Sequence, residues 1–337
     1  MVIRKTLLAL AVIPAMLGPA LLGGPARAAD IPKPGVPSVQ RPMRELTPLA
    51  VLKIGKTADW VSLVGGAVWV GSTGPNAVTR IDVQNNAISA VVALTGEPCA
   101  GLAQGLGYLW VPLCADRTGG KAGLAKIDLK TGRLARVFGV APAGAEGGAA
   151  VSGDSVWMVT DAQGSLARID PATGRTRQVV RLPAGSSNVA YAAGRLYVSQ
   201  ATGAQVTVVD ARTGERLGGT PTGPNPRFLS AGADAAWTLN QGDGSVSRVD
   251  ARSRKAGPTV ALGEPGHGGD IAYRDGRIWT TMNTLPLTLT DARSGKVLRQ
   301  WTGAGGDSLG VSADAIWLTD YLGGTVTRYA IAQALAR

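Results

Sequence analysis

Apolar residues in this chain come in short runs, separated by turns of Gly, Asp, Asn and Thr. Seven runs contain an aromatic in the same context: Trp69, Trp110, Trp157, Tyr197, Trp237, Trp279 and Trp317. The gaps between them are 41, 47, 40, 40, 42 and 38 residues. Each follows a Gly- or Asp-containing turn, as in Ala67-Val68-Trp69-Val70 and Ser155-Val156-Trp157-Met158. A repeat of about 40 residues built from short strands predicts a β-propeller, one four-stranded blade per repeat.

Aligned on the aromatic, the repeats share one template. A small apolar strand comes first, then a dipeptide turn such as Gly65-Gly66 or Gly153-Asp154, which permits positive φ in a two-residue hairpin. The aromatic strand follows, then a polar loop and a third strand ending in an acid: Asp82, Asp128, Asp170, Asp210, Asp250 or Asp291. The next turn often reads Asp-x-x-Thr-Gly and leads into an outer strand such as 88–94 or 297–302. The repeated Asp reads as a turn device, its side chain accepting a backbone N–H two residues on. Arg80, Lys126, Arg168, Arg248 and Arg328 recur two positions before that acid and are expected to form a solvated ring on the strand face. The seventh repeat stops after its third strand, and the pattern of 49–54 matches an outer strand. The expectation is an all-β, seven-bladed propeller over 47–337, closed by that N-terminal strand and leaving no open edge.

The first 29 residues look like a secretory signal peptide. Arg4 and Lys5 precede an interrupted apolar stretch, and Ala26-Arg27-Ala28 supplies a small-x-small cleavage site. A retained anchor is the alternative, but the stretch is short and broken by Pro14, Gly18 and Pro19. The expected location is therefore periplasmic or secreted, with no transmembrane segment after cleavage. Residues 30–46, with Pro32, Pro34, Pro37 and Pro42, read as an extended tether. The formal charge is +11, and removing the leader's three cations leaves an excess of eight. These cations are spread by the repeat, without the clustered charge and stacking aromatics of a nucleic-acid reader.

The two cysteines fall in the second repeat. With the turn at Leu106-Gly107, antiparallel pairing places Cys99 directly opposite Cys114. In an oxidising compartment such a pair forms a disulfide. Free or metal-binding thiols are the alternative, but no His or third Cys stands nearby.

Positions that break the repeat are the candidates for recognition. They cluster where inner strands begin and where second strands end, around one mouth of the central channel. The expected ligand-binding set is Asp59, Trp60, Glu146, Asn188, Arg227, Phe228, Asp270, Asp307 and Tyr321. His267 is the only histidine and could act as acid or base beside a mouth carboxylate. No Ser/His/Asp motif, Gly-x-Ser-x-Gly elbow, phosphate loop or EF-hand loop is present.

The Val-Trp-Val, Arg-Ile-Asp and Thr-Gly signatures over residues 49–331 resemble bacterial YVTN-type propellers and the streptogramin (virginiamycin B) lyase-like family. That resemblance implies the propeller fold and a site at the channel mouth. It also implies Mg-assisted elimination at the ester of a cyclic depsipeptide, with His267 as the matching histidine and Glu264 close by. Three functions are therefore compared. The leading one is a non-catalytic, monomeric propeller, without a cofactor, that binds a ligand or an envelope protein. The second is a lyase-like enzyme or related hydrolase, using His267 and Mg held by mouth acids. The third, a subunit of a periplasmic redox system, lacks a haem motif or cofactor cysteine.

Overall fold

The computed structural model describes residues 35–117 and 119–336, so the expected signal peptide lies outside the described residues. Seven antiparallel sheets follow one another along the chain. The first blade shows the plan: Thr57–Val64 innermost, then Ala67–Thr73, Ala77–Asp82 and the outer Ala87–Ala93, each paired with the next. The seventh holds Leu309–Val311, Ala315–Asp320 and Thr325–Ala330, and the N-terminal Pro48–Lys53 pairs antiparallel with the last as its fourth strand. The seven-bladed, strand-closed architecture is therefore as expected, and it leaves the ring without a gap.

The repeated aromatic fills the space between sheets. Trp69, Trp110, Trp157, Tyr197, Trp279 and Trp317 are essentially inaccessible, and Trp237 nearly so. Large aromatic area buried between neighbouring blades is the main apolar contribution of each repeat. The basic ring differs from expectation. Each basic residue sits directly across the sheet from its aromatic, as Trp69 faces Arg80 and Trp157 faces Arg168. The cations of Arg80, Lys126, Arg168 and Arg328 consequently lie over Trp69, Trp110, Trp157 and Trp317, at 5.9, 5.4, 5.5 and 5.3 Å from the ring centroids. They are cation–π lids whose heads are also tied to neighbouring groups, Lys126 to Pro171 O, Arg168 to Arg212 O and Arg328 to Val83 O. In the fifth blade Tyr273 takes that place, stacked on Trp237 at 4.1 Å.

The repeated aspartates behave as turn devices. Asp170 Oδ1 accepts the N–H of Ala172 and Thr173, and Asp210 and Asp250 repeat the pattern. These donors favour the carboxylate form and hold all three acids below their ordinary range, Asp250 at about 2.

The tether reading is corrected over residues 35–46; residues 30–34 lie outside the described residues. Gln40–Pro42 adds a fifth, parallel strand to the outer strand Val297–Thr302 of the sixth blade. Met43 and Leu46 are buried with Trp301 and Leu287. The buried Gln300 anchors this segment, its Oε1 accepting the Val36 N–H at 2.5 Å while its Nε2 donates to Leu262 O. The prolines suggested a linker, but the apolar Met43 and Leu46 between them supply the docking contacts. A short helix, Ile331–Leu335, also escaped the sequence reading and buries Ala334. No helix among the described residues is long and apolar enough to cross a membrane.

Candidate functional site

Inner strands run from the mouth of the channel toward the tight turns on the opposite face. A regular inner strand alternates its side chains, so re-aiming one toward the mouth requires an extra residue. Three blades have one. In the first, Asp59 pairs Gly71 and Val61 pairs Val70, which leaves Trp60 as the bulged residue. In the fifth, Pro226 pairs Asn240 and Phe228 pairs Leu239, which leaves Arg227. In the fourth, the register slips by one between Ser186 and Val189, beside Asn188. Bulges of this kind aim side chains at sites.

The second blade carries a larger interruption. Ala103 pairs Trp110, but Pro98 pairs Leu113, so the inner strand holds two extra residues between them. There the chain bonds sideways to the third blade: Gly101 N–H donates to Gly147 O and Glu146 N–H to Cys99 O. The Cys99–Cys114 disulfide is present, with Cα atoms 5.7 Å apart. Direct opposition is corrected, because Cys99 now donates its N–H to Pro112 O and bridges diagonally to Cys114. The bulge draws together a diagonal pair that would otherwise stand at about 7–8 Å.

These interruptions shape two joined cavities. The outer one, about 360 Å³, is lined by Asp59, Trp60, Glu97, Glu146, His267, Asn283, Asp307 and Tyr321 among others. The inner one, about 460 Å³, is the channel itself, where Trp60 meets Asn188, Asp270 and Ser308. Trp60 borders both. Its φ is +55°, costly for a bulky side chain, and Glu146 at +60° is similarly strained. On its buried side the ring packs against Phe228, with centroids 6.2 Å apart.

The electrostatics at the mouth are unusual for aspartate. Asp59 Oδ1 accepts the Trp60 N–H at 2.7 Å, and its carboxyl shares a hydrogen bond with Asp307. Burial raises both, and the negative charge of Asp307 raises Asp59 further, whereas the hydrogen bonds from Gly269 and Asp59 partly offset the rise at Asp307. Asp270 accepts the Ser308 hydroxyl at 2.8 Å and the N–H of Ile271 and Leu309. Burial nevertheless pushes it up to about 6. Ser308 also accepts the Val61 N–H at 3.1 Å, so one hydroxyl ties the sixth, seventh and first blades together. Tyr321 is raised by burial and then by the charges of Asp59, Glu97 and Asp307, which places all three acids around it. Gly268, at φ +66°, lets the His267 loop approach, because a Cβ there would stand 2.5 Å from Asp307 Oδ1.

The structure thus brings Asp59, Trp60, Glu146, His267, Asp307 and Tyr321 into one cavity, with Asn188 and Asp270 in the channel beneath. Two residues fall elsewhere. Phe228 is 2% exposed and packs in the core under Trp60 rather than facing a ligand. Glu264 lines neither cavity. Arg227 stands at the rim, its Nε donating to Glu146 Oε2 at 2.7 Å across the mouth of the fourth blade. Glu97 escaped the sequence reading, although it opens the second blade as Asp59 opens the first. Among the described residues no group of three or more His, Cys, Asp or Glu is arranged to hold a metal ion.

Comparison with known proteins gives a similar picture. A family model described as outer membrane protein assembly factor BamB matches residues 120–281, just under half of the chain. The crystal structure of BamB from Moraxella catarrhalis is similar with a TM-score of 0.60 at 13% identity, covering 85% of this chain and 99% of that one. A comparison with curated proteins found no match. At this identity the likeness is one of fold, and neither result extends to the lyase-like family. What the comparisons support is the β-propeller fold.

Proposed function

We propose that this chain is an exported β-propeller interaction protein that binds a partner through the channel-mouth face. The observation that carries the reading is the placement of its irregularities. Bulges at Trp60, beside Asn188 and at Arg227 all break the inner strands at the same mouth, whereas the opposite face repeats one turn. The match to an envelope assembly factor supports a role in protein contacts outside the cytoplasm. The disulfide supports an oxidising compartment, periplasmic or secreted.

Site-specific photo-crosslinking tests this. A crosslinking residue at Tyr321, exposed at the mouth, should capture a protein partner in the envelope fraction. The same residue at Gln84, exposed on the opposite face, should not. Capture from Gln84 alone, equal capture from both, or none from Tyr321 would overturn the reading.

A further inference from the structure

The outer strand of each blade ends its sheet in a row of backbone N–H and C=O groups, and such an edge pairs with other chains unless it is guarded. Five blades carry a guard of charge or proline: Arg136 in the second, Arg181 in the third, Pro221 in the fourth, Pro258 in the fifth and Lys53 in the seventh. The sixth is covered by Gln40–Pro42. Among the described residues only the outer strand of the first blade, Ala87–Ala93, has neither charge, proline nor cover.

Its backbone is also correctly turned. Leu94 N–H donates to Asn76 O inside the blade, so alternation along the ladder points the N–H and C=O of Val92 inward and those of Val91 and Ala93 outward. Ile88 and Val91 pair with Ile81 and Thr79, which places them on one face, where they are 45% and 59% exposed. Counted from the bulge that both outer strands carry, Val91, Val92 and Ala93 match Gln300, Trp301 and Thr302 of the sixth blade. Those are the three residues onto which Gln40–Pro42 pairs. The same place in the sixth blade thus holds an added strand with the blade's own ladder intact.

We propose that this edge pairs with the same edge of a second copy of the chain, antiparallel about a two-fold axis through Val91. The composition favours that occupant. A charged segment would find no counter-charge on this strand, whereas its own copy matches it and sets no like charges opposite each other. The guards and the cover on the other outer strands exclude them as partners, so the contact is isologous and closes as a dimer instead of growing into a fibre. Val91 then stands opposite Val91, each outward N–H donating to the other's outward carbonyl, and Ala90 stands opposite Val92. Ile88 and Val91 of both copies meet on one face. This departs from the monomer expected of the sequence. Outer strands lie farthest from the channel, so both mouths stay free for the partner proposed above.

Sedimentation velocity of the purified chain decides the matter. Over a rising concentration series the mass should move from that of one copy to that of two. Val91→Lys sets two cations opposite each other and should weaken association at least about tenfold. Val179→Lys, at the matching place on the guarded edge of the third blade, should leave association unchanged. Both side chains are exposed, so both variants should keep the wild-type Tm. Val91→Cys should form an interchain disulfide on oxidation, because hydrogen-bonded antiparallel partners stand at about 5.5 Å between Cα atoms, and Val179→Cys should not. A single copy at every concentration, or a dimer indifferent to Val91→Lys, overturns the proposal. Growth beyond two copies overturns the closed axis. A photo-crosslinking residue at Val91 that captures a different envelope protein and no second copy overturns the second copy as occupant.

Discussion

Aspartate has opposite chemistry on the two faces of this propeller. On the turn face Asp170, Asp210 and Asp250 are half-buried, cradled by backbone N–H groups and held in the ionised form. At the mouth Asp59, Asp270 and Asp307 are surrounded by protein, reach solvent through the cavities and are shifted toward the neutral form. One residue type thus serves as a local fastener where the repeat is kept and as a poised acid where it is broken. The donors around Asp270 do not reverse its shift, because burial outweighs three hydrogen bonds there. The difference separates scaffold from site without reference to any relative.

The tryptophans offer the strongest way to break this comparison. Trp157→Ala removes a fully buried blade spacer and should cost about 3–5 kcal/mol of stability by chemical denaturation. Trp60→Ala empties a position already bordered by two cavities, and should cost less while abolishing mouth binding. Equal stability losses would mean that Trp60 is one more spacer.

Next comes the disulfide, whose partners are 15 residues apart in sequence and which should contribute roughly 3 kcal/mol. Replacing both cysteines with serine should lower Tm and also loosen Glu146, whose N–H is held by Cys99 O. A Tm loss with unchanged mouth binding would make the bridge purely structural.

The two aspartate classes should then respond to pH with opposite signs. Asp270, ordinarily near 3.8 but raised to about 6, binds its proton more tightly in the folded state. Its contribution is present below about 4 and lost as pH rises through 6, an effect of up to about 3 kcal/mol. The Tm of Asp270→Asn relative to wild type should therefore improve between pH 4.5 and 7.5. A flat difference would show that Asp270 titrates as an exposed acid.

Asp250, lowered to about 2, gives the smallest effect. Its stabilisation is present above about 4 and is lost as pH falls through 2. Asp250→Ala should lower Tm slightly at pH 7 and not at all near pH 2. A loss that persists in acid would assign the turn to something other than the ionised carboxylate.

The blades and the closing strand were legible because period and strand alternation are properties of sequence neighbours. Trp69 and Arg80 illustrate the limit: both positions were evident, but their stacking follows from cross-strand register. The mouth was legible as a face and not as a geometry. A bulge such as that at Trp60 leaves the apolar pattern almost unchanged while re-aiming a side chain. Phe228 and Arg227 are adjacent in sequence and looked alike as candidates, yet the bulge sends one to the rim and the other to the core. Glu264 was tied to His267 by closeness along the chain, yet only His267 lines the mouth cavity.

The strand that closes the ring has a consequence for time. Lys53 bonds Gly323 and pairs with Thr325, partners separated by about 270 positions. The four core strands of every blade from the first to the sixth can form from contiguous residues, but the seventh must wait for both ends to meet to gain its fourth. Such long-range pairing slows folding and leaves an unpaired edge until the final step. During that interval Leu49 and Val51 stand on a strand with no partner, a period in which a holding chaperone would be of most use. Joining residues 48–53 directly after Ala330 in a circular permutant should shorten the interval, and stopped-flow refolding would show it as a faster last phase.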